Sequence, residues 1–182
     1  MSTRTMPWQT GNVPGPKFAM DLKGEVAGKL IQKAKRPLLI VGTNAVRDEV
    51  KGRKLIDYAI EIGKAGVKIV ATAHMVKEFS NRGYKVEADM PLVNITDRLR
   101  DPSWKGIDGR GSYDVVVFLG APYYFESQML STLKNFAPDL NTIAIDAQFQ
   151  PNAKWSFPNL KEKEYETELA SMMAALKEKK SA

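Results

Sequence analysis

The chain has 182 residues, 43% of them hydrophobic and 26% charged, which is enough for one domain with a sizeable core. It contains no cysteine, which excludes disulfides, thiolate-bound zinc and an intrinsic iron–sulfur cluster, and no apolar run approaches the roughly 20 residues that span a bilayer. The formal net charge of +6 is concentrated in residues 1–55, which hold eleven basic and four acidic side chains.

The excess of basic residues in the N-terminal segment 1–55 is compatible with several classes of partner. An acidic protein, an anionic cofactor or a helical face in contact only with solvent would each explain it. Nucleic acid is disfavoured, because the basic residues are not interleaved with exposed aromatic residues and no motif that reads DNA or RNA is present. The first residues lack the apolar stretch of a secretory signal, so we expect a cytoplasmic protein with no membrane attachment.

The first half of the chain predicts an extended arm followed by alternating helices and strands. Residues 1–16 hold three prolines and two glycines without periodicity, which predicts an arm whose Trp8 contacts another chain. From Pro16 to Pro37 an apolar residue recurs at every fourth position, which predicts a helix with these residues inward: Phe18, Leu22, Val26, Leu30 and Ala34. A strand is predicted at 38–41, a helix at 50–65, a strand at 67–71, and a short helix at 74–79 that stops at Gly83.

The second half is organised around the clearest strand of the chain, Asp114–Leu119, which is β-branched and continuous as in strands buried on both faces. Before it, residues 89–97 fit either a short strand or a helix start, and 104–111 is a loop. After it we predict a helix at 124–136, a strand at 142–145 and a closing helix at 160–180. The inward residues of helix 124–136 are predicted to be Phe125, Met129, Leu133 and Phe136.

This alternation predicts a single α/β domain over residues 17–182, with a three-layer Rossmann-like fold. We expect a parallel sheet of five or six strands with helices on both faces, linked by right-handed crossovers. Because Leu38–Val41 and Asp114–Leu119 are the most apolar runs without alternation, we place them at the centre of the sheet.

Two strand ends mark the predicted ligand site. Leu38–Val41 runs into Gly42, Thr43 and Asn44, and Asp114–Leu119 runs into Gly120, Ala121 and Pro122. In open parallel sheets a ligand crevice lies at such ends, so we predict a nucleotide or flavin between the two turns, with its phosphates near Thr43 and Asn44. Gly42 would also suit a sharp turn without any ligand, and Thr43 and Asn44 would also suit simple helix capping.

Three further residues complete the predicted site. His74 follows a strand and is expected to be structural or beside a cofactor, since it has no partner that would make it catalytic. Tyr123, with Tyr124, would stack on a flavin or nucleotide or else pack on the sheet edge. Asp146 ends a strand, where a carboxylate would hold a ribose or cap the following turn. No residue is predicted to be catalytic or to bind a metal.

The segments, in this order, resemble known proteins. AKRPLLIVGTNA, VKIVATAHM, YDVVVFLGAPYY and NTIAIDAQFQPNA resemble the NAD/FAD-binding fold shared by deoxyhypusine synthase, the sirtuins and the central domain of thiamine-diphosphate enzymes. WQTGNVPGPKFA, KRPLLIVG and DVVVFLGAPYYFESQMLSTLKNFAP are similar to the epsilon subunit of the archaeal acetyl-CoA decarbonylase/synthase complex.

The second resemblance implies an accessory chain that binds the large nickel–iron–sulfur carbon monoxide dehydrogenase subunit and assists electron transfer to FAD. It implies FAD as the candidate cofactor, no intrinsic metal or cluster, and a homo-oligomer when the chain is isolated. The alternative is a free-standing flavin- or nucleotide-dependent oxidoreductase whose reactive group is the cofactor itself. Sirtuin-like deacetylation and the lysine-imine chemistry of deoxyhypusine synthase are disfavoured, since the chain lacks cysteine and has no lysine in a context that marks a nucleophile.

Overall fold

The structure, a computed structural model, describes residues 18–72 and 74–178. Its strands are β1 (Met20–Asp21), β2 (Pro37–Val41), β3 (Glu49–Val50), β4 (Arg53–Lys54), β5 (Lys68–Ala71), β6 (Ala88–Asp89), β7 (Val115–Leu119), β8 (Asn141–Ala144) and β9 (Trp155–Ser156). Its α-helices are α1 (Gly24–Lys33), α2 (Leu55–Lys64), α3 (Met75–Asn81), α4 (Leu92–Arg100), α5 (Tyr123–Phe136) and α6 (Glu162–Lys177). None of these helices is both long and apolar enough to cross a bilayer. The predicted arm with Trp8, and Pro16, lie outside the described residues.

The main sheet has seven strands in the order β1-β9-β8-β7-β2-β5-β6, all paired in parallel. The predicted central pair is confirmed, since β2 and β7 are neighbours in the middle of the sheet. Three of the seven strands have only two residues each. Strands this short have no recognisable sequence pattern, so the sequence predicts only five or six strands. Counted from β6 to β9, the strands follow the order found in the dinucleotide-binding folds. The order in which the chain adds strands to the sheet reverses between β2 and β7, although both strands are parallel.

Side chains of the central strands alternate between two cores, one on each face of the sheet. Leu39 and Val41 of β2 face the core formed with α1, α2, α3 and α6, whereas Leu38 and Ile40 face the core formed with α4 and α5. Because both faces are covered, all four residues are fully buried and the strand needs no polar face. The three-layer α/β class predicted from the sequence is therefore confirmed.

The predicted helix from Pro16 is wrong over its described first part. Residues 20–21 form an edge strand, held by backbone bonds such as that from the Met20 amide to the Lys154 carbonyl, and α1 begins only at Gly24. A residue at every fourth position advances about 40° around a helix at each step, so such a stripe cannot stay on one face. Val26 is accordingly 46% exposed. The inward face of α1 consists instead of Gly24, Ala27, Gly28 and Ile31.

The glycines of α1 let it pack closely on α6. A Cβ on Gly28 would lie 2.8 Å from the Ala175 Cβ and closer still to the Met172 carbonyl oxygen. The amide of Gly24 donates a hydrogen bond to the Glu168 carboxylate over 2.5 Å. The first and last helices of the described chain are thus in contact along their backbones.

Two further predictions need correction. The helix expected from residue 50 begins at Leu55, because 49–54 form a hairpin whose turn, at Lys51 and Gly52, has positive φ at both positions. The inward face of α5 is also rotated from the prediction. Glu126, Leu130 and Leu133 are buried, whereas Phe125 is 38% and Phe136 64% exposed.

The remaining elements agree with the sequence. Residues 89–97 hold both predicted alternatives, since β6 ends at Asp89 and α4 starts at Leu92. The predicted strands at 67–71 and 142–145 and the predicted short helix at 74–79 appear as β5, β8 and α3, within two residues of the expected ends. The closing helix ends at Lys177, and its expected last residues, 179–180, lie outside the described range.

Candidate ligand-binding cleft

The two glycine turns at the centre of the sheet pack directly against each other. The Asn44 amide donates to the Gly120 carbonyl oxygen over 2.8 Å. Gly120 has a φ of +70°, and a Cβ on it would lie 2.6 Å from the Ala45 amide nitrogen. The space between the turns is therefore filled by protein backbone. Gly42 leads into a single 3-10 turn, Thr43–Val46, instead of a full helix with an N-terminus free for phosphate.

A cleft of about 580 Å³ opens beside these turns, at the carboxyl ends of β2, β7 and β8. It lies between the loop and hairpin after β2, the start of α5, the loop after β8 and the start of α6. Its lining residues are Asn44, Arg47, Asp48, Glu49, Val50, Leu55, Ala121, Tyr123, Glu126, Asp146, Ala147, Gln148, Gln150, Glu162 and Tyr165. Its position is the one at which open α/β sheets bind ligands, although the cleft is displaced from the gap between the turns.

Two adjoining carboxyl groups, those of Glu126 and Asp146, occupy the inner wall. Asp146 is half-buried, and its carboxyl group accepts hydrogen bonds from the Gly120 amide at 2.8 and 3.1 Å. Glu126 has no exposed surface, and neither of its carboxylate oxygens has a donor among the described residues. Two ionised carboxylates cannot bond each other, so a hydrogen bond between them forms only when one holds the proton.

Burial sets the protonation of this pair. It raises the pKa of Glu126 well above the usual value, and the neighbouring Asp146 raises that pKa further. Burial also raises the pKa of Asp146, although the Gly120 amide acts in the opposite direction by stabilising the anion. One proton is therefore shared by the two groups near neutral pH, as in other close carboxyl pairs.

Two more polar groups of the cleft are buried without a partner among the described residues, the Tyr165 hydroxyl and the Gln150 Oε1. Burial raises the pKa of Tyr165, and the nearby Asp146 carboxyl raises it further, so this hydroxyl stays protonated. The Gln150 amide nitrogen donates to the Tyr123 carbonyl over 3.1 Å, whereas the Gln150 Oε1 has no hydrogen-bond donor among the described residues. The cleft thus presents an amide oxygen that lacks a donor and a hydroxyl group that lacks any partner among the described residues.

The residues present do not fit the diphosphate of FAD. Of the residues that the structure describes, five with carboxyl groups line the cleft, against one with a guanidinium group, Arg47. The Asn44 amide, which would have bound a phosphate, is already bonded to Gly120. A diphosphate would meet uncompensated negative charge at short range, where repulsion is strong.

The structure brings some predicted site residues into the cleft and leaves others outside. Asn44, Ala121, Tyr123 and Asp146 line it. Gly42 and Gly120 hold the two turns together behind it. Thr43, Pro122 and His74 do not line it, and the last two are exposed. The role predicted for Asp146 as a ribose ligand stays a prediction, while its bond to Gly120 shows that it caps the turn after β7.

Sequence reasoning missed Glu126 and Tyr165. Glu126 occupies the helical stripe that continues through Leu130 and Leu133, and a carboxylate in an apolar stripe was the available signal. Tyr165 lies on the buried face of α6 with Leu169, where nothing distinguishes it from an ordinary core tyrosine. Within residues 18–72 and 74–178, no three His, Asp or Glu side chains are grouped as they would be to hold a metal ion.

Comparisons with known proteins agree on one family. Residues 1–173 match the family model described as "CO dehydrogenase beta subunit/acetyl-CoA synthase epsilon subunit". The chain is 43% identical over 175 residues to the "Acetyl-CoA decarbonylase/synthase complex subunit epsilon" of Methanothrix soehngenii, covering 94% of this chain and 91% of that protein. It is 41% identical over 175 residues to the protein of that name from Methanothermobacter thermautotrophicus, covering 96% and 98% of the two chains. Subunit "epsilon 1" of Archaeoglobus fulgidus is 43% identical over 143 residues, covering 78% and 75%.

Proposed function

The chain belongs to the CO dehydrogenase beta subunit/acetyl-CoA synthase epsilon subunit family, and from this premise we propose that it is the accessory epsilon subunit of an acetyl-CoA decarbonylase/synthase complex. The match along nearly the whole chain to proteins named as subunits of that complex is the observation that carries the proposal. We further propose that its direct partner is the large nickel–iron–sulfur carbon monoxide dehydrogenase subunit. Because this chain has no cysteine, a partner must supply the thiolates that bind iron–sulfur clusters.

The exposed side of α5 is the surface we propose for docking. Phe125, Met129 and Phe136 share one face of this helix, and the first and last are exposed. Phe136 is 64% exposed, and the Arg100 guanidinium lies 5.9 Å from its ring centroid. Large aromatic residues at helical spacing on an outer face are typical of a subunit interface.

The experiment is affinity purification of the full-length tagged chain from its native host under anoxic conditions. The wild type should retain a large nickel- and iron-containing chain, identified by mass spectrometry and metal analysis. A double variant, Phe125→Ser with Phe136→Ser, should retain much less of it while its thermal unfolding stays cooperative, because these side chains are largely outside the core. Val26→Ser is the matched control, since Val26 is similarly exposed but lies on α1, across the sheet.

Two outcomes would contradict the proposal. Recovery of the tagged chain without any large metal-containing subunit would remove the assignment to the complex. Equal recovery by the double variant and Val26→Ser would remove the α5 surface alone. Size-exclusion chromatography of the isolated chain tests the expected homo-oligomer in the same preparations.

Assistance to electron transfer onto FAD is proposed only as a property of the assembled complex. The cleft of the chain alone offers a diphosphate no suitable site, so we expect FAD to be retained by the complex and lost from the isolated chain. Flavin fluorescence of both preparations after gel filtration tests this. A flavin-coloured isolated chain that turns over a substrate would favour the alternative, a free-standing oxidoreductase, which the charge of the cleft does not support.

A further inference from the structure

The inner wall of the cleft contains buried polar oxygen atoms that have no hydrogen-bond partner among the described residues, apart from the proton that Glu126 shares with Asp146. They belong to Glu126, Gln150 and Tyr165, whose exposed fractions are 0%, 1% and 4%. A buried polar atom without a partner destabilises the fold, so such atoms are rare in native proteins. Several in one cleft indicate that their partners come from a bound molecule: the Glu126 and Gln150 oxygens accept hydrogen bonds, and the Tyr165 hydroxyl can accept as well as donate.

The charges around these acceptors give the sign of that molecule. At the rim, Asp48 and Glu162 add to the negative charge of the inner pair, whereas Glu49 is balanced by Lys54 at 2.9 Å. Among the described residues, the one basic side chain that lines the cleft is the exposed Arg47. The cleft therefore attracts cations and repels anions.

We propose that the cleft binds a small organic cation whose ammonium or guanidinium group donates hydrogen bonds to the carboxyl groups of Glu126 and Asp146. Gln150 and Tyr165 accept further N–H groups of the same ligand. The volume of about 580 Å³ lies within the range of small-molecule sites. A nitrogen cation with several N–H donors matches these acceptors better than a metal ion, because the described residues offer no group of three metal-ligating side chains.

Binding is coupled to a proton. In the empty cleft Glu126 and Asp146 share one proton, and a cation between them takes its place, so that the proton leaves to solvent. The other charged or titratable groups that face the pair are Arg47, Asp48, Glu49, Tyr123, Glu162 and Tyr165. Of these, Tyr123 and Tyr165 have raised pKa values through burial and do not release a proton near neutral pH.

The test is isothermal titration of the full chain with n-butylguanidinium, and with its neutral isostere n-butylurea. Butylguanidinium should bind, and butylurea should bind at least tenfold more weakly or not at all. The heat for butylguanidinium should differ between PIPES and HEPES, whose ionisation enthalpies differ, by the amount expected when a proton is released. Inorganic diphosphate should show no binding. Equal affinity for the cation and the urea, or tighter binding of diphosphate, would overturn the proposal.

Variants locate the site. Glu126→Gln keeps the shape of the side chain and removes its charge, so butylguanidinium affinity should fall at least tenfold and the proton release should disappear. Glu25→Gln removes one carboxylate from the exposed face of α1 and should change neither. If Glu126→Gln does not fold, Tyr165→Phe decides, and it should weaken binding several-fold with the urea unfolding midpoint retained. Unchanged butylguanidinium affinity in these cleft variants overturns the assignment. It is also overturned if the wild-type chain binds no butylguanidinium and Glu126→Gln instead weakens capture of a partner subunit.

Discussion

The contact between the two glycine turns can be measured by adding one methyl group. In Gly120→Ala the new Cβ would lie 2.6 Å from the Ala45 amide nitrogen and 2.8 Å from the Ala45 Cβ. The residue also has a φ of +70°, which costs an L-residue about 1–2 kcal/mol. Overpacking against the neighbouring turn adds about 1–3 kcal/mol. The free energy of unfolding should therefore fall by about 2–5 kcal/mol, a large part of the stability of a typical domain.

Gly109→Ala separates these two contributions. Gly109 has a φ of +71°, almost that of Gly120, but nothing lies within 4 Å of its Cβ position. Its replacement should cost only the backbone term, about 1–2 kcal/mol. Urea unfolding followed by circular dichroism gives both values from the midpoints, provided that the m-value is unchanged. If Gly120→Ala costs no more than Gly109→Ala, the two turns are not in tight contact.

Two further predictions concern the packing and the charge network away from the cleft. Gly28→Ala should lower the free energy of unfolding by about 1–3 kcal/mol, because the methyl group meets the Met172 carbonyl of α6; an unchanged urea midpoint would contradict the close helix contact. Asp108→Asn should destabilise the protein at neutral pH, since hydrogen bonds from Arg36 and Lys68 hold the pKa of this carboxyl far below its usual value. A carboxyl whose pKa is lower in the folded state stabilises the protein above its unfolded pKa and loses that contribution as the pH falls, so the difference between wild type and variant should shrink from pH 7 to about pH 3. A difference that grows on acidification would refute the pairing.

The centre of the fold could be predicted because its signals are local. Pro37–Val41 and Val115–Leu119 are continuous apolar runs closed by glycine, and such runs fit a strand buried on both faces wherever they occur. The two-residue strands β1, β6 and β9 carry no such signal. Backbone hydrogen bonds to distant segments define them, such as the bond from Leu22 to Ser156, and a sequence pattern cannot show these.

The site could be predicted only in part, for the same reason. The sequence correctly predicts that the ends of β2 and β7 border the site, and it indicates Asp146 because this residue follows a strand. Glu126 and Tyr165 come from two helices separated by the strands β8 and β9, and only the folded chain brings them to one wall. The sequence predicts the ligand between the turns at Gly42 and Gly120, whereas these turns pack against each other and the cleft lies beside them.

The contact of α1 with α6 has a consequence for biosynthesis. The inward face of α1 contains two glycines, so this helix has little apolar side-chain area of its own and relies on the backbone of a helix about 140 residues later. α1 is synthesised long before α6, and in that interval it lacks the helix on which it packs most closely. Closing so long a loop is slow, and the chain cannot complete its domain stepwise from the N-terminus. Folding of this domain therefore cannot be completed before α6 has been synthesised.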